Sequence, residues 1–325
     1  MVHVIHLHGL GGADMLRPAD IVLPPVGPGQ VRLRHRAAGV NFVDIYLRSG
    51  TVHSLIDFPA ILGVEGAGEI EAIGPDVQDF QVGDRVAWCG PPTGGYAEAT
   101  VIAADRLVRL PDAISFEQAG GAMLRGLTSH MILHRVTHAQ AGQTILIHAA
   151  AGGLGLILAQ WAKHLGLRVL GTVGSEAKAD LARAHGVESP IITAREHFVS
   201  AVRRLTDGRG ADIVVDGIGG QVLTDSLDCL VPFGQLVSVG QAGGDLPAIH
   251  ISDLGPGRSI ALSRPSSFAF TRDRSAYRRA LQDMLSLMEQ GLSVTIGAQF
   301  PLVEAAQAHR AMESRQTSGS VILIP

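Results

Sequence analysis

The chain has 325 residues, 46% of them hydrophobic, with a formal net charge of −4 and two cysteines. That length and apolar content predict two globular domains rather than one, and basic residues scattered within a slightly negative total argue against a nucleic-acid partner. No apolar run approaches the roughly 18 residues of a membrane helix, and three histidines and a glycine fall in 1–10 where a signal peptide would be hydrophobic, so the expectation is a cytoplasmic protein without a membrane partner. Cys89 and Cys229 stand far apart and offer neither a disulfide framework nor zinc knuckles.

In chain order, residues 1–110 are rich in Gly, Pro and Val. Short β-like runs at 30–37, 68–73, 84–88 and 97–102 are separated by turn signals such as Gly74-Pro75 and Gly94-Gly95. This predicts a compact, mostly β unit. After Leu110-Pro111, Ser115-Phe116-Glu117-Gln118 has the form of a capping box, and 116–136 follows a helical period. From 144 to 262 strands (144–148, 168–173, 213–216, 235–240) alternate with helices starting near Leu154, Glu176, Arg195 and Val222. Such alternation requires right-handed crossovers and a parallel sheet covered on both faces, a doubly wound α/β domain. A helix over 275–291 and a terminal strand over 320–325 return the chain to its first domain. The predicted division is 1–124 with 263–325, and 125–262. Residues 248–252 and 259–262 read as edge strands able to pair across a two-fold axis.

Between the strand 144–148 and the helix that follows stands Ala150-Ala151-Gly152-Gly153-Leu154-Gly155. It is either a tight turn or a dinucleotide fingerprint with Ala at the first glycine. In a βαβ unit the second reading is favoured. Gly152 lets the backbone approach a pyrophosphate, Gly155 lets the helix pack on the strand, and the helix start at Gly153 and Leu154 offers N–H groups to the anion. An NAD enzyme usually ends its second strand on an acid that accepts from the ribose 2′-OH. Here that strand runs into Gly174-Ser175-Glu176-Ala177-Lys178, where Ser175 and Lys178 can bond a 2′-phosphate, which predicts NADPH. Against this, Glu176 is an acid close by and Lys178 reads equally as a solvated helix residue.

Ala38-Gly39-Val40-Asn41-Phe42-Val43-Asp44, Gly63-Val64-Glu65-Gly66-Ala67-Gly68 and Val82-Gly83-Asp84-Arg85-Val86 resemble the medium-chain dehydrogenase/reductase pattern. With His148-Ala149-Ala150-Ala151-Gly152-Gly153 and Arg264-Pro265-Ser266, the whole chain resembles the NADPH:quinone oxidoreductases related to zeta-crystallin. The resemblance implies an α/β architecture of a GroES-like, mostly β catalytic domain and a Rossmann domain binding NADPH, a quinone substrate, and a homodimer. It places Asn41 and Tyr46 beside nicotinamide and substrate as the catalytic pair. It also makes Thr128 and Met131 cofactor contacts, with Arg264 and Arg315 at family positions, the second near the cofactor phosphates. Gly217 and Gly240-Gln241 follow the fourth and fifth strands, at the carboxyl ends where doubly wound sheets bind ligands.

The zinc-binding Cys and His of the alcohol dehydrogenase branch are replaced by Asn41 and Val64, so no metal is expected. His130, His134 and His138, four apart on a helical period, read either as a chelating pair or as a packed helix face, the latter favoured for want of an adjacent Cys or carboxylate. Two family features are altered. Thr51-Val52-His53 stands where relatives carry an aromatic residue, leaving His53 open as a proton donor or a solvated loop residue, and Thr193 replaces a Tyr flanking the adenosine. Without a Lewis acid the acceptor must delocalise the incoming charge itself. A quinone does so, and so does a conjugated enone or alkenal. A third reading is an NADPH-binding protein with little catalysis, of the crystallin or RNA-binding kind.

Overall fold

The computed structural model describes residues 1–52 and 57–325. They divide into two compact units, Met1–Leu127 with Thr271–Pro325, and Thr128–Phe270.

The first unit is built on Gln30–Val40, whose inward Val31 and Leu33 alternate with outward Arg32 and Arg34. This strand pairs antiparallel with Glu65–Ile73, Ala99–Ala103 and Ser320–Ile324. The sheet continues through Arg85–Cys89 on one side and Ile296–Pro301 on the other. Its core gathers Val31, Leu33, Ile70, Val86, Trp88, Ile102 and Leu107. A smaller sheet of Leu16–Ile21, Val2–Leu7 and Ala60–Ile61 was not legible in the sequence. Its edge strand carries Pro18, which lacks a backbone donor and is tolerated only at an edge.

In the second unit the strands run in the order Ser189–Ile192, Arg168–Val173, Thr144–Ile147, Ala211–Asp216, Leu230–Ser238, Ala261–Ser263, all parallel. This is the doubly wound order, with its topological switch between Thr144–Ile147 and Ala211–Asp216. Leu146, Leu170, Val214 and Leu236 from four of these strands pack with Phe198, Ala201 and Val202 of a covering helix.

Several expectations shift. The single helix expected over 116–136 is three segments, Phe116–Gly120, Met123–His130 and a π-helical Met131–Val136. The break falls at Gly121, whose carbonyl accepts instead from Arg125 Nη1 and Ser320 Oγ. The Ser115 capping box forms as read. The helix expected from Arg195 begins at Phe198, because Arg195 and Glu196 N–H both turn back onto the Ile192 carbonyl. Residues 248–252 are no strand: Asp253 caps His250 N at 2.9 Å and starts a 3-10 turn, Ile251–Asp253. Ser259, at φ 51°, stands outside the edge strand that begins at Ala261. The division of the chain falls after Leu127 and Phe270 rather than after 124 and 262. Ala261–Ser263 is a strand of the parallel sheet, and Arg264 bonds Ser238 and Gln241 of the same unit.

Candidate active site

In the second unit the glycine turn is shaped by backbone. Ala149 takes φ 51°, a left-handed conformation that costs a non-glycine residue about 1 kcal/mol or more. Its carbonyl accepts from Gly152 N at 2.9 Å. A Cβ on Gly155 would lie 2.6 Å from that carbonyl oxygen and 2.7 Å from Ala150 Cα, so only glycine lets the helix Gly153–His164 start against the strand end. No side chain caps this helix at Gly152. The first-turn N–H groups of Gly153, Leu154 and Gly155 therefore lack intrahelical partners, and the dipole there favours an anion. The residues fit a dinucleotide pyrophosphate.

Immediately before the turn, His148 is buried and holds two neighbours. Its Nε2 lies 2.9 Å from Ser226 Oγ and its Nδ1 3.0 Å from Thr172 Oγ1. Ser226 Oγ donates to the Val222 carbonyl at 2.6 Å, so it accepts from His148 Nε2–H, and the Thr172 hydroxyl donates to Nδ1. Burial pushes His148 down to about 3, keeping it neutral in this pattern. This anchor has a sequence signal only in the motif's first residue.

At the carboxyl ends of the fourth and fifth strands, four predicted residues come together. Asp216 accepts from Ile218 N and Gly219 N at 2.8 and 3.0 Å and so shapes the turn through Gly217. Burial raises this carboxyl above its usual range, while the N–H donors and Arg264 oppose the rise. Arg264 donates to Ser238 Oγ and to Gln241 Oε1, each at 2.9 Å, beside Gly240. Arg264 is thus fixed to the sheet end rather than being a free surface arginine.

At the end of the second strand, Gly174 is exposed and a Cβ there would meet nothing within 4 Å. Ser175 is the N-cap of Glu176–Ala184, its Oγ accepting from Lys178 N at 3.4 Å, which leaves the hydroxyl proton to donate. Lys178 is half-buried. Thr128 is half-buried on Met123–His130, and Met131 is buried at the start of the π-helical turn.

In the first unit Asn41 is buried at the start of Phe42–Ser49, and its backbone N–H is capped by Asp44 Oδ2 at 2.9 Å. Its Nδ2 donates to Glu65 Oε1 at 2.7 Å. That same oxygen accepts from Arg125 Nη1 at 2.7 Å, and Glu65 Oε2 accepts from Leu124 N at 2.7 Å. A carboxylate only accepts, so the Asn41 amide is held with its nitrogen toward Glu65. Glu65 enters this space because Gly39 has no side chain: a Cβ there would fall 2.1 Å from Glu65 Oε1. Burial raises Glu65, and the Arg125 charge pulls it back. Asp44 is pushed up to about 7, mainly by burial and also by Glu65, against the bonds from Asn41 N, Tyr96 and Gly63 N. Behind it, Tyr96 Oη meets His309 Nε2 at 2.9 Å, and Arg48 reaches His309 Nδ1 at 3.3 Å and Glu313. Glu65, Arg125 and Asp44 were not singled out from sequence. Asp44 and Glu65 stand inside the motifs at 38–44 and 63–68, but nothing in the sequence linked either of them to residue 125.

Tyr46, one turn along the same helix, is half-buried, its ring 6.1 Å from that of Phe42. Arg315 is exposed at φ 59°, just past the helix Ala305–Glu313. His53 lies outside the described residues. The positions of the zinc-binding Cys and His hold an amide committed to Glu65 and the fully buried Val64, neither able to supply a thiolate or imidazole. Among the described residues no three His, Cys, Asp or Glu side chains gather as metal ligands. His130 and His134 instead pack together, ring centroids 4.7 Å apart, against Trp161, while His138 falls past the helical segment at φ 48°.

Residues 27–112 match the family model described as an alcohol dehydrogenase GroES-like domain, and residues 153–296 that of a zinc-binding dehydrogenase. A quinone oxidoreductase of Pseudomonas aeruginosa is 41% identical over the full length of both chains. A 2-haloacrylate reductase of Burkholderia is 39% identical over 100% of this chain and 99% of its own. The crystal structure of an Escherichia coli quinone oxidoreductase complexed with NADPH superposes with a TM-score of 0.95 at 34% identity, covering 99% of this chain and 100% of that one. With Asn41 and Val64 where zinc ligands would stand, the chain belongs to the zinc-free branch of the medium-chain dehydrogenase/reductases, the quinone oxidoreductase family.

Proposed function

We propose that this chain is an NADPH-dependent quinone reductase working by hydride transfer without a metal. The observation that carries the reading is the Gly152–Gly155 turn, where backbone, not side chain, lines the space before an uncapped helix start. NADPH supplies the hydride.

The chain's own residues bind and orient. The N–H groups of Gly153, Leu154 and Gly155 hold the pyrophosphate, which Gly152 lets approach the backbone, and Gly174, Ser175 and Lys178 the 2′-phosphate. Thr128, Met131, Gly217, Gly240, Gln241 and Arg264 contact ribose and nicotinamide, and Arg315 the phosphates. Asn41 and Tyr46 contact the carboxamide and the quinone oxygen. With its Nδ2 engaged by Glu65, Asn41 has its oxygen, which also faces the Asp44 N–H of the capping box, to accept from the carboxamide. Buried thiols at Cys89 and Cys229 suit a reducing, cytoplasmic setting, and the edge strand Ala261–Ser263 is the surface through which two copies pair.

A second reading, reduction of a conjugated carbon–carbon double bond, is favoured by the 2-haloacrylate reductase among the relatives. NADPH oxidation with a small para-quinone, set against a 2-alkenal and a 2-haloacrylate at equal cofactor, separates the two. Faster quinone turnover is expected. Asn41→Ala lowers kcat/KM roughly 10- to 100-fold, with a smaller loss of NADPH affinity. Tight NADPH binding with no turnover of any acceptor would favour a non-catalytic binding protein.

A further inference from the structure

An NADPH site with an acid at its rim is electrostatically inconsistent unless the acid is neutralised. A phosphate monoester carries about −1.5 to −2 charges near neutral pH. Glu176 is the first residue of the helix that Ser175 caps, two places from Lys178, so the two side chains cancel and leave no net attraction for a dianion. The structure brings in a third charge. Arg195 Nη1 lies 2.6 Å from Glu176 Oε2. It arrives from the neighbouring strand: Ile191 and Ile192 of Ser189–Ile192 lie in register with Thr172 and Val173. Thr193 N and Oγ1 then clasp the Val173 carbonyl at 3.0 and 3.3 Å. The turn after Ile192 is thereby fixed against the strand end that leads into Gly174 and Ser175.

We propose that Arg195, held by Glu176, is a specificity-determining residue that selects the 2′-phosphorylated cofactor. The inference rests on the NADPH reading above. A guanidinium presents five N–H donors in a planar fork, so one can remain on Glu176 while others bond phosphate oxygens. Glu176 acts as a positioning residue that would repel the phosphate if Arg195 were absent. Thr193, a small side chain turned onto the Val173 carbonyl, puts no bulky group beside the guanidinium.

The test measures nucleotide binding, without an acceptor, by fluorescence titration of NADPH and NADH, and competition by adenosine 2′,5′-bisphosphate against 5′-AMP. Arg195→Ala is expected to lower the NADPH-over-NADH preference roughly tenfold and to weaken the bisphosphate by a similar factor. Adding Glu176→Gln to Arg195→Ala should recover about half of that loss on a logarithmic scale, because the uncompensated anion is removed. A thermal scan confirms that both variants are folded. Equal loss of NADPH and NADH, or no change of preference in Arg195→Ala, overturns the role of Arg195 and leaves the cofactor reading intact. A wild-type protein that binds neither nucleotide, or prefers NADH, overturns the cofactor reading itself.

Discussion

The two units build their sites from opposite materials. In the second, the glycine turn is backbone: a left-handed Ala149, a missing Cβ at Gly155 and a helix start without a side-chain cap. In the first, the surroundings of Asn41 are buried ionisable side chains, Glu65 between Arg125 and the amide, with Asp44 beneath. A backbone site tolerates many side-chain changes but not a few cubic ångströms of added volume. A buried ionic site tolerates small volume changes but not the loss of a partner, because the charge left behind has no water to solvate it.

This contrast orders the predictions. The largest effect is expected for Glu65→Ala, which strands Arg125 in the interior. Urea unfolding should show a loss of about 3–5 kcal/mol, whereas Glu65→Gln, still able to accept from Asn41 and Arg125, should lose clearly less. If neither variant loses stability, the first unit does not depend on its buried charge.

Next comes Gly155→Ala in the second unit. Its Cβ would meet backbone at 2.6 Å, so NADPH affinity should fall by about 1–3 kcal/mol, with smaller damage to global stability, read by fluorescence titration beside thermal unfolding. Unaltered binding would mean that the turn is not a cofactor cradle.

The pH dependence distinguishes the units further. Burial lowers His148 to about 3 in the second unit, and in the first lowers His309 to about 3 and His35 to about 4. As pH falls below the ordinary histidine value of about 6.5, the unfolded chain takes up these protons and the folded chain does not. Stability present at neutral pH is therefore lost toward pH 4, each group adding a slope of up to about 1.4 kcal/mol per pH unit. Asp44 acts in the reverse sense: its folded-state value, about 7, exceeds the unfolded one, so it stabilises at acid pH and loses that contribution as pH rises toward 7. Asp44→Asn should accordingly steepen the acid loss of stability in chemical denaturation between pH 4 and 7. An unchanged slope would mean that Asp44 stays ionised throughout.

The smallest effect belongs to Ala149→Gly. Relief of the left-handed strain, about 1 kcal/mol, is largely offset by the greater chain entropy of glycine, and a gain of about 0.5 kcal/mol is expected. A clear loss would show that the alanine methyl contributes packing that the strain argument omits.

The glycine turn was legible because its requirement is local: strand, turn and helix are contiguous, and each glycine is justified by atoms within a few residues. The same holds for the Ser115 cap and for the alternation that announces the parallel sheet. The Asn41 environment was only half legible, since Glu65 and Arg125 stand 60 residues apart and meet through a 2.7 Å bond inside the unit. His148 with Thr172 and Ser226, and Arg195 with Glu176, were unreadable for the same reason.

By itself, then, the sequence determined the alternating domain, the nucleotide turn and the absence of zinc-binding side chains at 41 and 64, because hydrophobic period and residue chemistry act at short range. Tertiary structure alone decided which carboxylates face which cations, where the long helical stretch breaks at Gly121, and which strand closes the parallel sheet. Those outcomes depend on burial and on hydrogen-bond partners drawn from distant parts of the chain, and the free energy of a charge is set by what surrounds it rather than by what precedes it.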